Sequence, residues 1–258
     1  MNAAGSCLLV PEWPAPPGVH ALMTLRDGGT SGGPYASLNL GTHCGDAPEA
    51  VRRNRALLRT RLPAEPRWLR QVHGVGVVQA DAVDALPQAD GSHAEADASY
   101  TRAPGTVCAV LVADCMPILL CTRTGDAVAA AHAGWRGLAG GVIEATVAAL
   151  GVAGHELMAW LGPAIGPQAF QVGPEVRAAF VGAAPEDASG FRHDAGDRWL
   201  CDLAVLARAR LTRLGVSEVY GGDACTVSEP ERFFSYRRDR TCGRMAALIW
   251  RSAGVRQA

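Results

Sequence analysis

A chain of 258 residues with 24 basic and 25 acidic side chains, formal net charge −1, can bury a substantial core and carries no electrostatic bias toward a polyanion. The basic residues are scattered, which argues against nucleic acid or anionic lipid as a partner. No basic segment followed by an apolar core opens the chain, and no apolar stretch is long enough to cross a bilayer. The expectation is therefore a soluble, cytoplasmic protein without a membrane partner, its oligomeric state not legible.

In chain order, the first forty-five residues are rich in Gly, Pro, Ser and Thr and read as short strands and an ordered loop of the kind that shapes a pocket. Ala47 to Leu62 reads as a helix, with Pro48 in its first turn and Val51, Leu57, Leu58 and Leu62 as its apolar stripe. A strand from Trp68 to Val72 leads into His73-Gly74, and Val75 to Val78 continues extended. Val107 to Val112, Ile118 to Cys121 and Val128 to Ala131 are three apolar strands, the last two joined by the turn Thr122-Arg123-Thr124-Gly125. A helix from Leu138 to Leu150 follows the Gly134-Trp135-Arg136-Gly137 turn and stops at Gly151. A strand ending at Trp160-Leu161 runs into the stiff loop Gly162 to Pro167. Helices follow at Pro174 to Phe180 and Leu203 to Leu214, and Met245 to Trp250 closes the chain as helix or strand. With no repeat, linker or charge run to mark a boundary, residues 1–258 read as a single domain of mixed α/β (α+β) class, layered mixed sheets flanked by helices.

The chemistry concentrates at Asp114-Cys115-Met116-Pro117 and His132-Ala133-Gly134. A hairpin centred between Arg123 and Thr124 places Cys115 opposite His132, where paired Cβ atoms lie roughly 4.5–5.5 Å apart. Eight cysteines without a CxxC pair, in a chain too large to need staples, are mostly reduced core residues. Cys115 and His132 admit three readings: ordinary buried residues, a cysteine nucleophile with a histidine base, or a metal site. The metal reading needs a further ligand. Gln71-Val72-His73-Gly74 offers one, and His73, Cys115 and His132 together make the His₂Cys set of catalytic zinc sites with an open fourth position.

Several separate motifs in order carry a resemblance: Arg26-Asp27-Gly28-Gly29, Ser37-Leu38-Asn39-Leu40-Gly41, Gln71-Val72-His73-Gly74, Ala113-Asp114-Cys115, His132-Ala133-Gly134-Trp135-Arg136-Gly137, Gly162-Pro163-Ala164-Ile165-Gly166-Pro167 and Phe233-Phe234-Ser235-Tyr236-Arg237-Arg238-Asp239. In these the chain resembles the bacterial YfiH family, also called the polyphenol oxidase or laccase-domain family, related to human FAMIN. The resemblance implies a YfiH-like fold and a zinc ion on His73, Cys115 and His132. It implies purine nucleoside chemistry: phosphorolysis of adenosine, inosine and methylthioadenosine to base and ribose 1-phosphate, and deamination of adenosine to inosine. Nucleoside and phosphate are then the expected small-molecule partners.

For deamination a metal-activated water attacks the purine carbon bearing the amino group while a carboxylate moves protons, and Asp114 is the acid nearest a ligand in sequence. Asp114 equally reads as an acid that orients His132 or caps a turn. Phosphate suits Arg136 and the amides of Gly134 to Gly137 at a helix entrance. Asn39 and Arg26, with Arg237 or Arg238, are weaker candidates for ribose or phosphate contacts. Seven histidines are too few for the blue-copper centre and trinuclear cluster of a multicopper oxidase, although one Cu²⁺ in the same site would permit weak phenol oxidation. The resemblance also allows a peptidoglycan-precursor editing amidohydrolase, with either a zinc hydroxide or a Cys115 nucleophile. Three departures from the family pattern stand out: Arg240-Thr241-Cys242-Gly243-Arg244 after Arg-Arg-Asp, Cys44 at a usually aliphatic position, and a long polar segment from Asp90 to Asp97, whose His93 and Asp97 either approach the site or lie in solvent, the second being the favoured reading.

Overall fold

Alternation of side chains along three consecutive buried strands sets the layering. The computed structural model describes residues 7–84 and 93–253, so the part of the polar segment at 90–92 lies outside the described residues. Strands β1 (Leu8–Leu9), β2 (Val19–Thr24), β3 (Val77–Gln79), β4 (Ala98–Thr101), β5 (Val107–Val112), β6 (Met116–Thr122) and β7 (Val128–Ala133) come first in the chain. Then follow β8 (Leu157–Leu161), β9 (Gln171–Val172), β10 (Phe191–His193), β11 (Trp199–Cys201), β12 (Glu218–Gly221) and β13 (Met245–Arg251). A six-stranded mixed sheet has the order β12-β8-β6-β7-β4-β3, a four-stranded antiparallel sheet the order β1-β2-β13-β5, and a small three-stranded sheet the order β10-β11-β9.

Successive residues of a strand point to opposite faces. On β6, Leu119 and Cys121 therefore meet Val110 and Val112 of β5 and Ala247 and Ile249 of β13, while Ile118 and Leu120 face Ile143, Val147 and Leu206 from helices. Those helices are α3 (Val142–Leu150) and α5 (Leu203–Arg213). The outer face of the four-stranded sheet, Leu22, Ala109, Leu111 and Leu248, is covered by Leu58 of α1 (Pro48–Arg59), with Leu62 and Trp68. The order of layers is helix, sheet, sheet, helix. This is the expected mixed α/β architecture. No helix among the described residues is long and apolar enough to cross a membrane.

Three local expectations need correction. The β6–β7 pairing is shifted by two residues: His132 faces Pro117 and Met116 faces Ala133, so Cys115 lies one step beyond the ladder. The cause is a four-residue loop, closed by the Thr122 N–H donating to the Ala127 carbonyl. An even shift preserves which face each side chain takes, so the two residues stay on one side. The helix expected from Leu138 begins instead at Trp135 and is broken at Gly141, whose φ of 101° ends α2 (Trp135–Gly140) and starts α3. The segment Trp68 to Val72 forms no strand, only single bridges from Arg67 to Cys108 and Arg70 to Glu95. The last element, read as helix or strand, is the strand β13, buried in the interior of its sheet.

Candidate metal centre and active-site cavity

The chain leaves one sheet at the end of β5 and enters the other at Met116, so Ala113-Asp114-Cys115 is the crossing between sheets. Asp114 makes the turn with φ 89°. Its carboxylate holds the turn closed: the Thr226 hydroxyl donates to Oδ1 at 2.6 Å and the Arg237 backbone N–H to Oδ2 at 2.6 Å. The second of these fastens the four-residue helix α6 (Tyr236–Asp239). Of the readings open for Asp114, the cap is the one its contacts show. It does not orient His132.

That task falls to Asp97, which is fully buried and not in solvent as expected. Its Oδ1 lies 2.8 Å from His132 Nδ1 and accepts the His73 N–H at 2.9 Å, while Oδ2 accepts the N–H groups of Gly74 at 2.7 Å and Val72 at 3.2 Å. The His132 N–H donates to the Asp97 carbonyl at 2.7 Å. One side chain thus fixes two candidate ligands, His132 by its ring and His73 by its backbone. His73 itself takes φ 60°. Gln71 explains why this segment behaves like a strand without being one: its side-chain amide donates to the Leu111 carbonyl at 2.9 Å and accepts the Leu111 N–H at 2.8 Å, replacing a ladder pair.

His73, Cys115 and His132 converge, their ligand atoms all within 4.8 Å of one another. Burial would push the Cys115 thiol up, but the charge and hydrogen bonds of His132, then of His73, outweigh it and bring the pKa to about 6. Burial would lower His132, but Cys115 and Asp97 raise it to about 9. A soft thiolate and two imidazoles, one with its Nδ1 taken by a carboxylate, fit a zinc-type ion held at three positions. Among the described residues this is one group of three such side chains with that geometry.

Two glycines are required by close approach. A Cβ on Gly134 would lie 2.8 Å from Cys115 Sγ and 3.1 Å from His73 Cδ2, and one on Gly137 would lie 2.8 Å from the Gly74 carbonyl oxygen. Gly134 lines the cavity in front of the cluster; Gly137 packs α2 against the His73 segment.

The cavity holds about 850 Å³ and is lined by all three candidate ligands, by Arg70, Arg136, Arg237, Arg240 and Arg244, and by Trp135, Phe170 and Tyr236. Each of those aromatic rings carries an arginine: Arg136 lies 4.5 Å from the Trp135 ring, Arg237 5.2 Å from Phe170, and both Arg240 and Arg244 approach Tyr236. His43 and His93 also line it, so the half-buried His93 approaches the site.

Two expected contact residues are elsewhere. Arg26 donates to the carbonyls of Ala36 and Pro230, and Asn39 is buried, accepting from Gly41 and Arg244 N–H groups and donating to Asp46. Their polar groups hold loops together instead of facing the cavity. Arg238 likewise donates to the carbonyls of Thr226 and Phe233. His43, Tyr236, Arg240 and Arg244 were not singled out as site residues, since nothing local marks them: they reach the cavity only through the packing of α6 and the loop after it.

The family described as multi-copper polyphenol oxidoreductase laccase matches residues 20–252. The chain belongs to this family. Within it, the chain is 52% identical over 247 residues to "Purine nucleoside phosphorylase YfiH" of Escherichia coli, covering 95% of this chain and 99% of that protein. It is 54% identical over 243 residues to "Purine nucleoside phosphorylase PA4543" of Pseudomonas aeruginosa, covering 94% and 97%. The solved structure of Neisseria meningitidis protein NMB0706 superposes with a TM-score of 0.92 at 51% identity, covering 96% of this chain and all of that one. YlmD from Geobacillus stearothermophilus superposes at 0.83 and 34% identity over 92% and 93% of the two chains.

Proposed function

We propose that this protein is a metal-dependent purine nucleoside phosphorylase, with zinc as the resident metal on His73, Cys115 and His132. The observation that carries the reading is the opening of a three-ligand cluster onto a cavity lined by five arginines and three aromatic rings. Relatives above 50% identity that bear the name of this activity support it.

When bound, the metal supplies Lewis-acid chemistry. Asp97 holds His132 in one orientation and fixes the backbone of His73, so the site is preorganised before any ligand arrives. The flat faces of Trp135 and Phe170 suit a purine, and the arginines suit phosphate. In phosphorolysis a phosphate oxygen bonds to the ribose C1′, the bond from C1′ to the base nitrogen breaks, and its electron pair leaves with the base, which takes up a proton. Adenosine, inosine and methylthioadenosine share these bonds. With water as the second reactant, the water oxygen would bond to the purine carbon bearing the amino group and ammonia would leave, giving inosine at the same site. A thiol nucleophile is the weaker reading, because a second imidazole converges on Cys115 where nucleophilic catalysis requires one base. A multicopper oxidase needs far more ligands than this cluster offers.

Elemental analysis of the purified protein and assay of adenosine, inosine and methylthioadenosine with and without phosphate test the reading. Near-stoichiometric zinc and phosphate-dependent release of base and ribose 1-phosphate are expected, and inosine formed from adenosine without phosphate would report deamination. Stoichiometric zinc with no nucleoside turnover sinks the proposal. A Cys115→Ala variant that kept its metal but lost activity would restore the nucleophile.

A further inference from the structure

We propose that Arg240 and Arg244, converging on the Tyr236 ring, form the seat of a phosphate dianion in this cavity. The inference deepens the phosphorylase reading and rests on it for the reason that phosphate is needed.

Three residues that are not glycine take positive φ among the described residues, His73, Asp114 and Arg240, and all three line the same cavity. The first is a candidate ligand and the second adjoins one. Arg240 has φ 61° and ψ −62°, and the Thr241 N–H donates across it to the Asp239 carbonyl at 2.7 Å, a tight γ-turn that an L side chain enters only at a cost. Strain of this kind collects where a side chain must be aimed.

What is aimed is a pair of cations. The Arg240 guanidinium lies 5.9 Å from the Tyr236 ring centroid and that of Arg244 5.8 Å from the same centroid. Two like charges on one ring repel, and among the described residues no carboxylate pairs with either. The adjacent acid, Asp239, is taken by Arg238 at 2.8 Å. Arg244 is held by its backbone N–H on Asn39 and by Nη1 on the Cys242 and Gly243 carbonyls, which leaves Nε and Nη2 without an acceptor among the described residues. Arg244 also acts on His43 in the cavity wall, where burial first, then Arg244, Arg55 and His73, push the imidazole pKa down. A tetrahedral dianion is the ligand that two guanidiniums with no acid between them accept best. The seat is also tied to the ligand cluster, because Asp114 binds the N–H of Arg237 in the helix that carries Tyr236.

The test uses Arg240→Gly, which removes the charge and suits the backbone, together with Arg244→Gln. Calorimetric titration of the protein as purified with inorganic phosphate, and in parallel with a nucleoside 5′-monophosphate, decides whether the phosphate arrives free or esterified. Arg240→Gly should weaken binding of one of them by about ten- to a hundredfold. Its thermal midpoint should not fall, and the KM for nucleoside should stay within about twofold. Unchanged affinity for both ligands in Arg240→Gly, or no binding of either by the unaltered protein, overturns the seat. Phosphate binding lost in the variant of a protein that turns over no nucleoside would uphold the seat and sink the phosphorylase reading. Nucleoside phosphorolysis with an unchanged phosphate KM in Arg240→Gly would sink the seat alone.

Discussion

Replacing Asp97 by asparagine tests the frame of the metal centre. The carboxylate takes four donors: His73 N–H and His132 Nδ1 on Oδ1, Gly74 N–H and Val72 N–H on Oδ2. Asparagine offers one oxygen for two of them and turns an NH₂ toward the other two. Each buried donor left unmet costs about 1–3 kcal/mol, giving about 2–6 kcal/mol against a total stability of about 5–15 kcal/mol. Water can reach the Val72 side, where that residue is 45% exposed, so the lower end, about 2–3 kcal/mol, is expected. Metal affinity should fall in addition by about 10–100-fold, because the His132 ring loses its fixed acceptor. Urea unfolding of the metal-stripped protein measures the first effect, and competition with a chelator of known affinity the second. Unfolding free energy within about 0.5 kcal/mol of the parent, with unchanged zinc affinity, would refute the assignment of Asp97 as the element that positions both histidines.

Gly134→Ala should displace Cys115 and His73, whose atoms stand 2.8 and 3.1 Å from the new Cβ, and lower zinc affinity by at least about tenfold while the metal-free protein stays folded; a chelator titration and circular dichroism check both halves. Removing the metal should lower the thermal midpoint by about 5 °C or more at free zinc a hundredfold above Kd, and His73→Ala should abolish that shift. An identical midpoint with and without metal would argue against a structural contribution from the cluster. Thr122→Val should raise the pKa of Asp126, which the Thr122 hydroxyl holds below the usual carboxylate range, as read by carboxyl-carbon NMR. Since the folded pKa is the depressed one, the stability from this contact is fully present at neutral pH and is lost as the pH falls through the carboxylate range.

The three candidate ligands were legible because each sits in a distinctive local setting: His73 before a glycine, Cys115 after a buried strand, His132 before the Gly134 turn. Their partner was not. Asp97 lies in a stretch that reads as polar and exposed, and it is buried only because β4 pairs with β7 and brings it under His132. The reverse happened at Asn39 and Arg26. A Gly-rich loop with polar side chains reads as a ligand site, yet Asn39 ties that loop to Asp46 ahead of α1 and to Arg244 after α6, and Arg26 ties it to Pro230 before α6, through hydrogen bonds no local pattern encodes.

By itself, the sequence determined the mixed α/β class, most helices and strands, and the His₂Cys set, since hydrophobic period, caps and ligand types act over a few residues. The register of β6 against β7, the break of the helix at Gly141, and which acid supports the candidate ligands came only from the three-dimensional packing. The same packing also placed Arg240 and Arg244 at the cavity. These depend on how two sheets and their loops meet in space, where contacts join residues more than a hundred positions apart, as Asp114 joins Thr226 and Arg237.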